Sequence, residues 1–94
     1  MQIGTIYRAD GTTEIIRPAK GDSFSLIELQ RAVGGFIEHV RMAEGNGHGM
    51  MLVNERGKLL DLSPNAKASA LLHPMYEDGV LGDAIVLTRE RGHK

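Results

Sequence analysis

Five polar side chains carry most of the chemistry this sequence offers: Glu38, Asn54, Glu55, Lys58 and Asn65. A carboxylate beside a lysine ammonium can hold a polar ligand of mixed charge. A carboxamide adds a donor and an acceptor to the same site. Gathered where strand ends meet a second helix, these residues would form a polar pocket. A local explanation stands beside that one. Asn54-Glu55-Arg56-Gly57 has turn composition, and asparagine bonds its own backbone in turns. Asn65 could equally brace the start of a helix.

Other constellations fall short. His39, His48 and His73 are spaced by 9 and 25 positions, without the short regular intervals of a zinc site, so no metal is expected. Gly45-Asn46-Gly47-His48-Gly49 could present backbone N–H groups to an anion. It lacks the Lys-Ser/Thr of a P-loop and leads into no clear helix, so it reads as a tolerant hairpin loop with a tip available to partners. No Gly-x-Ser-x-Gly elbow is present, and no catalytic residue or cofactor is expected. Glu77 and Asp78 read as a solvated loop pair. Arg17, Lys20, Arg31 and Arg41, with Arg89, Arg91 and Lys94, could gather on one face. With two Tyr, two Phe, no Trp and no helix-turn-helix pattern, they read as solvated surface, and nucleic acid is not expected as a partner.

Composition sets the frame. Ninety-four residues make one domain, expected over 1–88 with a polar tail at 89–94. Area scaling has folding bury about 64% of the chain's surface, enough for one modest core. Eleven Lys and Arg against twelve Asp and Glu give a net charge of −1, so no global field draws the chain to nucleic acid or anionic membrane. With no cysteine, disulfides and thiolate chemistry are excluded. The opening MQIGTIYRAD has no basic segment followed by a long apolar run. Apolar runs stop at about four residues, where a membrane span needs about 20. The expected location is the cytoplasm.

The elements that must position the candidates follow from periodicity. Residues 1–8 and 12–17 read as strands joined at Asp10-Gly11, a hairpin signal in which both turn residues favour positive φ. Ser25 stands three residues before Glu28, the spacing of a capping box. Leu26, Leu29 and Val33 then share one helical face, and Gly34 is the expected left-handed cap. Residues 36–42 alternate as a strand. Met50–Asn54 is nearly continuously apolar, as in a strand covered on both faces or placed centrally. Residues 58–62 could pair back as a short strand. Ser63-Pro64 has the form of an N-cap and first helical residue, opening a second helix over 65–72. Val80–Thr88 is the last strand. The order β-β-α-β-β-(β)-α-β predicts an α+β domain, a mainly antiparallel sheet with two short helices on one side.

Three ordered blocks carry a resemblance. LQRAVGGFIEHV (Leu29–Val40), LVNERGKLLDLSPNA (Leu52–Ala66) and the Gly82-Asp83-Ala84-Ile85-Val86 strand resemble the DUF3846 family, small proteins and domains of bacteriophages and mobile elements. The departures are the glycine-rich stretch at 43–49 and residues 67–79. The resemblance implies a phage setting and no reaction. It leads to the expectation of a non-enzymatic binding protein acting in the host cytoplasm on a host protein, such as a defence component. Self-association is a further expectation, because a small sheet leaves edges to cover. The alternative is a small-ligand protein, holding or sequestering a nucleotide-like molecule near Asn54, Lys58 and Asn65.

Overall fold

The structure, a computed structural model, describes residues 1–45 and 49–90. His48, the tip of the 43–49 loop and the end of the polar tail lie outside the described residues.

Strand β1 (Gln2–Tyr7) turns at Ala9-Asp10-Gly11 into β2 (Thr13–Ile16). The turn departs from expectation: Gly11 has φ +94°, but Asp10 is not in the left-handed region. The Gly11 amide donates to the Arg8 carbonyl at 2.9 Å, and the Arg8 amide donates to the Thr12 carbonyl at 2.9 Å. This is a three-residue loop, a tight turn closed by a left-handed glycine. Asp10 accepts from the Thr12 hydroxyl and amide, which makes the turn self-supporting.

Helix α1 (Leu26–Val33) forms where the capping box predicts. The Glu28 amide donates to Ser25 Oγ at 3.2 Å, and the Ser25 amide donates back to Glu28 Oε1 at 2.9 Å. Gly34 closes the helix at φ +80°. The apolar face differs from the expected one. Val33 is buried and Leu29 and Ala32 pack beside it, but Leu26 is 58% exposed.

Strand β3 (Ile37–Val40) pairs with β4 (Met50–Asn54), helix α2 spans Ala66–Leu71, and β5 spans Ala84–Arg89. All pairings are antiparallel, in the order β2-β1-β5-β4-β3. Strand β5 is therefore the middle of the sheet, and among the described strands it joins the two hairpins. Its register runs through Arg89, and the Glu90 amide donates to the Met1 carbonyl, so the expected tail boundary at 88 falls inside a strand.

The two helices lie on opposite faces, a correction to the one-sided layout. Ile6, Phe24, Val33, Leu52, Ile85 and Leu87 form the core beneath α1. Val40, Met51, Val53, Ala68, Val80, Ala84 and Val86 form the other, beneath α2 and the segment after it. Successive residues of β4 and β5 alternate between these cores, which is why both strands are apolar throughout. Each fully buried Val, Leu or Ile contributes about 1.5–3 kcal/mol, so both layers matter to a chain of this size.

Residues 58–62 form no strand. The Leu60 amide donates to the Arg56 carbonyl and the Leu62 amide to that of Gly57, coiling the segment into tight turns that leave Leu59 and Leu60 exposed. Helix α2 starts later than its Ser-Pro signal. Pro64 instead bridges Leu81, and Asn65 is the N-cap.

Candidate functional site

A cleft of about 300 Å³ opens on the α2 face, beside edge strand β3. Its floor is apolar, with Val40, Val53, Leu72 and Val80 all buried. Its rim is charged. Glu38 comes from β3, Glu55 and Lys58 from the turns after β4, and Glu77 and Asp78 from the turn after α2. Among the described residues, four carboxylates therefore line the cleft with one ammonium. That ammonium is engaged: Lys58 Nζ lies 3.0 Å from Asp78 Oδ2, a bridge across the cleft between two well-exposed side chains.

Two further bonds shape the walls. Tyr76 lines the cleft, and its hydroxyl accepts from the Arg41 amide at 2.9 Å. The Val80 amide donates to Ser69 Oγ at 2.8 Å, tying the far wall to α2.

The β3 edge continues the site. The Phe36 carbonyl accepts from the Glu55 amide, which sets the phase of the ladder. Period two then aims the backbone groups of Glu38 and Val40 at β4 and those of Ile37 and His39 outward. Further along, the Arg41 amide is taken by Tyr76 and the Arg41 carbonyl by the His73 amide. Among the described residues, the uncovered stretch of edge is therefore Ile37–His39, alongside the cleft.

Of the five sequence candidates, Glu38, Asn54, Glu55 and Lys58 line this cleft and Asn65 does not. Asn65 is 1% exposed. Its Oδ1 accepts from the Ala68 amide at 3.1 Å, and its Nδ2 donates to the carbonyls of Tyr7 (2.7 Å) and Gly82 (2.9 Å). Asn54 spends its carboxamide on the fold as well. Nδ2 donates to the Val33 carbonyl at the end of α1, and Oδ1 accepts from the Arg56 amide. Asn65 has both amide hydrogens committed, and Asn54 keeps a single N–H beyond its bond to Val33. What the sequence reading missed is Tyr76, Glu77 and Asp78. Glu77 and Asp78 are solvated as expected, and they also form one wall of the cleft. No local signal links them to Lys58, which is 20 positions from Asp78.

The other candidates disperse. Among the described residues no three His, Asp or Glu side chains gather as a metal site. His73 Nδ1 accepts from the Met75 amide. Phe36 leaves the strand it was expected to open, is 56% exposed, and has the Arg56 guanidinium 5.5 Å from its ring centre. Among the described residues no helix is long and apolar enough to cross a membrane.

The fold and cleft thus define a small α+β domain with helices on both faces of an antiparallel sheet and an acidic groove at one edge. Residues 5–94 match the family model described as a domain of unknown function, DUF3846, and the chain belongs to that family. No curated protein and no solved structure matches it.

Proposed function

We propose that this protein is a non-enzymatic binding module that takes an extended, basic segment of a partner protein along β3, with the segment's side chains in the acidic cleft. One observation carries the reading: an apolar floor rimmed by four carboxylates and one paired lysine lies against an uncovered strand edge. An added strand would find backbone partners at Ile37 and His39, and its alternate side chains would reach the cleft. Arginine or lysine there meets Glu38, Glu55 and Glu77, and the aliphatic stems lie on Val40, Val53 and Val80. The setting that the family resemblance implies is a phage or mobile element in a bacterial cytoplasm. A host protein, such as a defence component, is then the partner to be blocked.

A nucleotide-like ligand in the same cleft is the less favoured reading. Its phosphates would face four carboxylates, Asn65 has both amide hydrogens committed, and Asn54 offers a single N–H.

The test is fluorescence anisotropy with a labelled nine-residue peptide alternating Arg and Val, against one alternating Glu and Val. The reading expects saturable binding of the first alone, weakening as salt rises from 50 to 200 mM (about 14 to 7 Å of screening length) and further in E38Q and E77Q. Equal binding of both peptides, or binding indifferent to E38Q and E77Q, overturns it.

A further inference from the structure

A second charged cavity, of about 400 Å³, lies on the opposite face of the sheet, between the β1–β2 hairpin and α1. Its apolar floor is Ile6, Ile16 and Ala32. Three guanidiniums line it, from Arg8, Arg17 and Arg31, with the carboxylates of Glu14 and Glu28. The carboxylates are already committed. Glu14 is ion-paired with Arg8. Glu28 accepts from the Ser25 amide on one oxygen and the Ala19 amide on the other, each at 2.9 Å. Arg17 and Arg31 are left with neither a hydrogen bond nor an ion pair among the described residues.

We propose that this cavity binds a small phosphate monoester, with the phosphate held by Arg17 and Arg31 and an apolar body resting on Ile6, Ile16 and Ala32. Two guanidinium forks in one cavity, neither hydrogen-bonded nor ion-paired among the described residues, match a dianion. A single carboxylate satisfies one guanidinium, as Glu14 does for Arg8. Phosphate carries close to two charges at neutral pH and three acceptor oxygens, enough for both forks. The apolar floor calls for an ester rather than the free ion. Both Glu28 oxygens accept backbone amides, so Arg31 is attracted to this carboxylate through space without being hydrogen-bonded to it. This site does not depend on the acidic cleft.

The experiment is an amide chemical-shift titration of the ¹⁵N-labelled protein with phenyl phosphate, and with benzoate as the singly charged counterpart. Phenyl phosphate is expected to give saturable shifts at Ile6, Ile16 and Ala32. R17Q and R31Q should each weaken binding about tenfold. Both side chains are exposed, so the melting temperature should stay unchanged and the loss will report on the site. Shifts that do not saturate, benzoate binding as tight as phenyl phosphate, or affinity unchanged in both variants would each overturn the proposal.

Discussion

The carboxamide nitrogen of Asn65 donates to the carbonyl of Tyr7 at 2.7 Å, across 58 positions of sequence. The same nitrogen reaches the Gly82 carbonyl, the Oδ1 caps α2, and the Asn65 amide donates to the Val80 carbonyl. One buried side chain thus joins β1, α2 and the approach to β5.

Replacing it removes a cap and orphans two carbonyls. N65A is expected to lose about 2–4 kcal/mol, from a cap near 1 and further cost at the stranded acceptors. N65S keeps a cap oxygen but cannot serve both carbonyls, so it should fall between N65A and wild type. Urea unfolding measures all three. An N65A loss below about 0.5 kcal/mol would mean that water takes over these bonds.

Gly57 lets the turn after β4 come close to Leu81, and both residues line the cleft. A Cβ there would stand 2.6 Å from the Leu81 carbonyl oxygen, a backbone atom with no room to retreat. G57A should cost about 1–3 kcal/mol and loosen the turn that carries Lys58. Denaturation midpoints report the first effect, and weaker binding of the Arg-Val peptide reports the second.

Acid should weaken the fold through two carboxyls whose ordinary values are 3.8 and 4.5. Asp10 is held below its value first by the Thr12 hydroxyl and then by the Thr12 amide. Glu28 is held below its value first by the Ser25 amide and then by that of Ala19. A lowered folded value means that the unfolded chain takes up the proton more readily. The contribution is therefore complete above the ordinary values and disappears as pH falls through the folded ones. The urea midpoint should start to drop below about pH 5 and go on falling as pH passes through the lowered folded values. E28Q, which can still close the capping box, should show a smaller drop. An identical drop would remove Glu28 from the account.

The Lys58–Asp78 bridge should matter to binding and hardly at all to stability. Both side chains are largely exposed, at 82% and 64%. D78N and K58Q should each change unfolding free energy by less than about 0.5 kcal/mol. At low salt K58Q should tighten the Arg-Val peptide and D78N should weaken it, because one removes a like charge from the cleft and the other an opposite one. The anisotropy titration decides both signs.

What was legible in the sequence was local chemistry. Ser25 and Glu28 announce α1 because their bonds span three residues, and Met50–Asn54 announces a strand covered on both faces because its composition records its surroundings. What was not legible depends on distant partners. Ser63-Pro64 has the form of a helix start, but Leu81 draws Pro64 into a bridge and Asn65 takes over as cap. Residues 58–62 could follow the turn at Glu55-Arg56-Gly57 as a short strand pairing back, yet the sheet's order leaves them no neighbour. Four of the five candidate residues reach one cleft, while the wall formed by Tyr76, Glu77 and Asp78 arrives by way of α2. Its position follows from the fold rather than from any spacing in the chain.

The central claim is that a partner strand adds to β3, and hydrogen exchange at the Ile37 and His39 amides tests it most directly. Both amides point away from β4 in the free protein, so they should exchange fast. With saturating Arg-Val peptide the account predicts strong slowing at these two amides. The Glu38 and Val40 amides, already paired with β4, should change far less. Peptide binding that leaves Ile37 and His39 as fast as before would contradict strand addition and reduce the cleft to a nonspecific acidic surface.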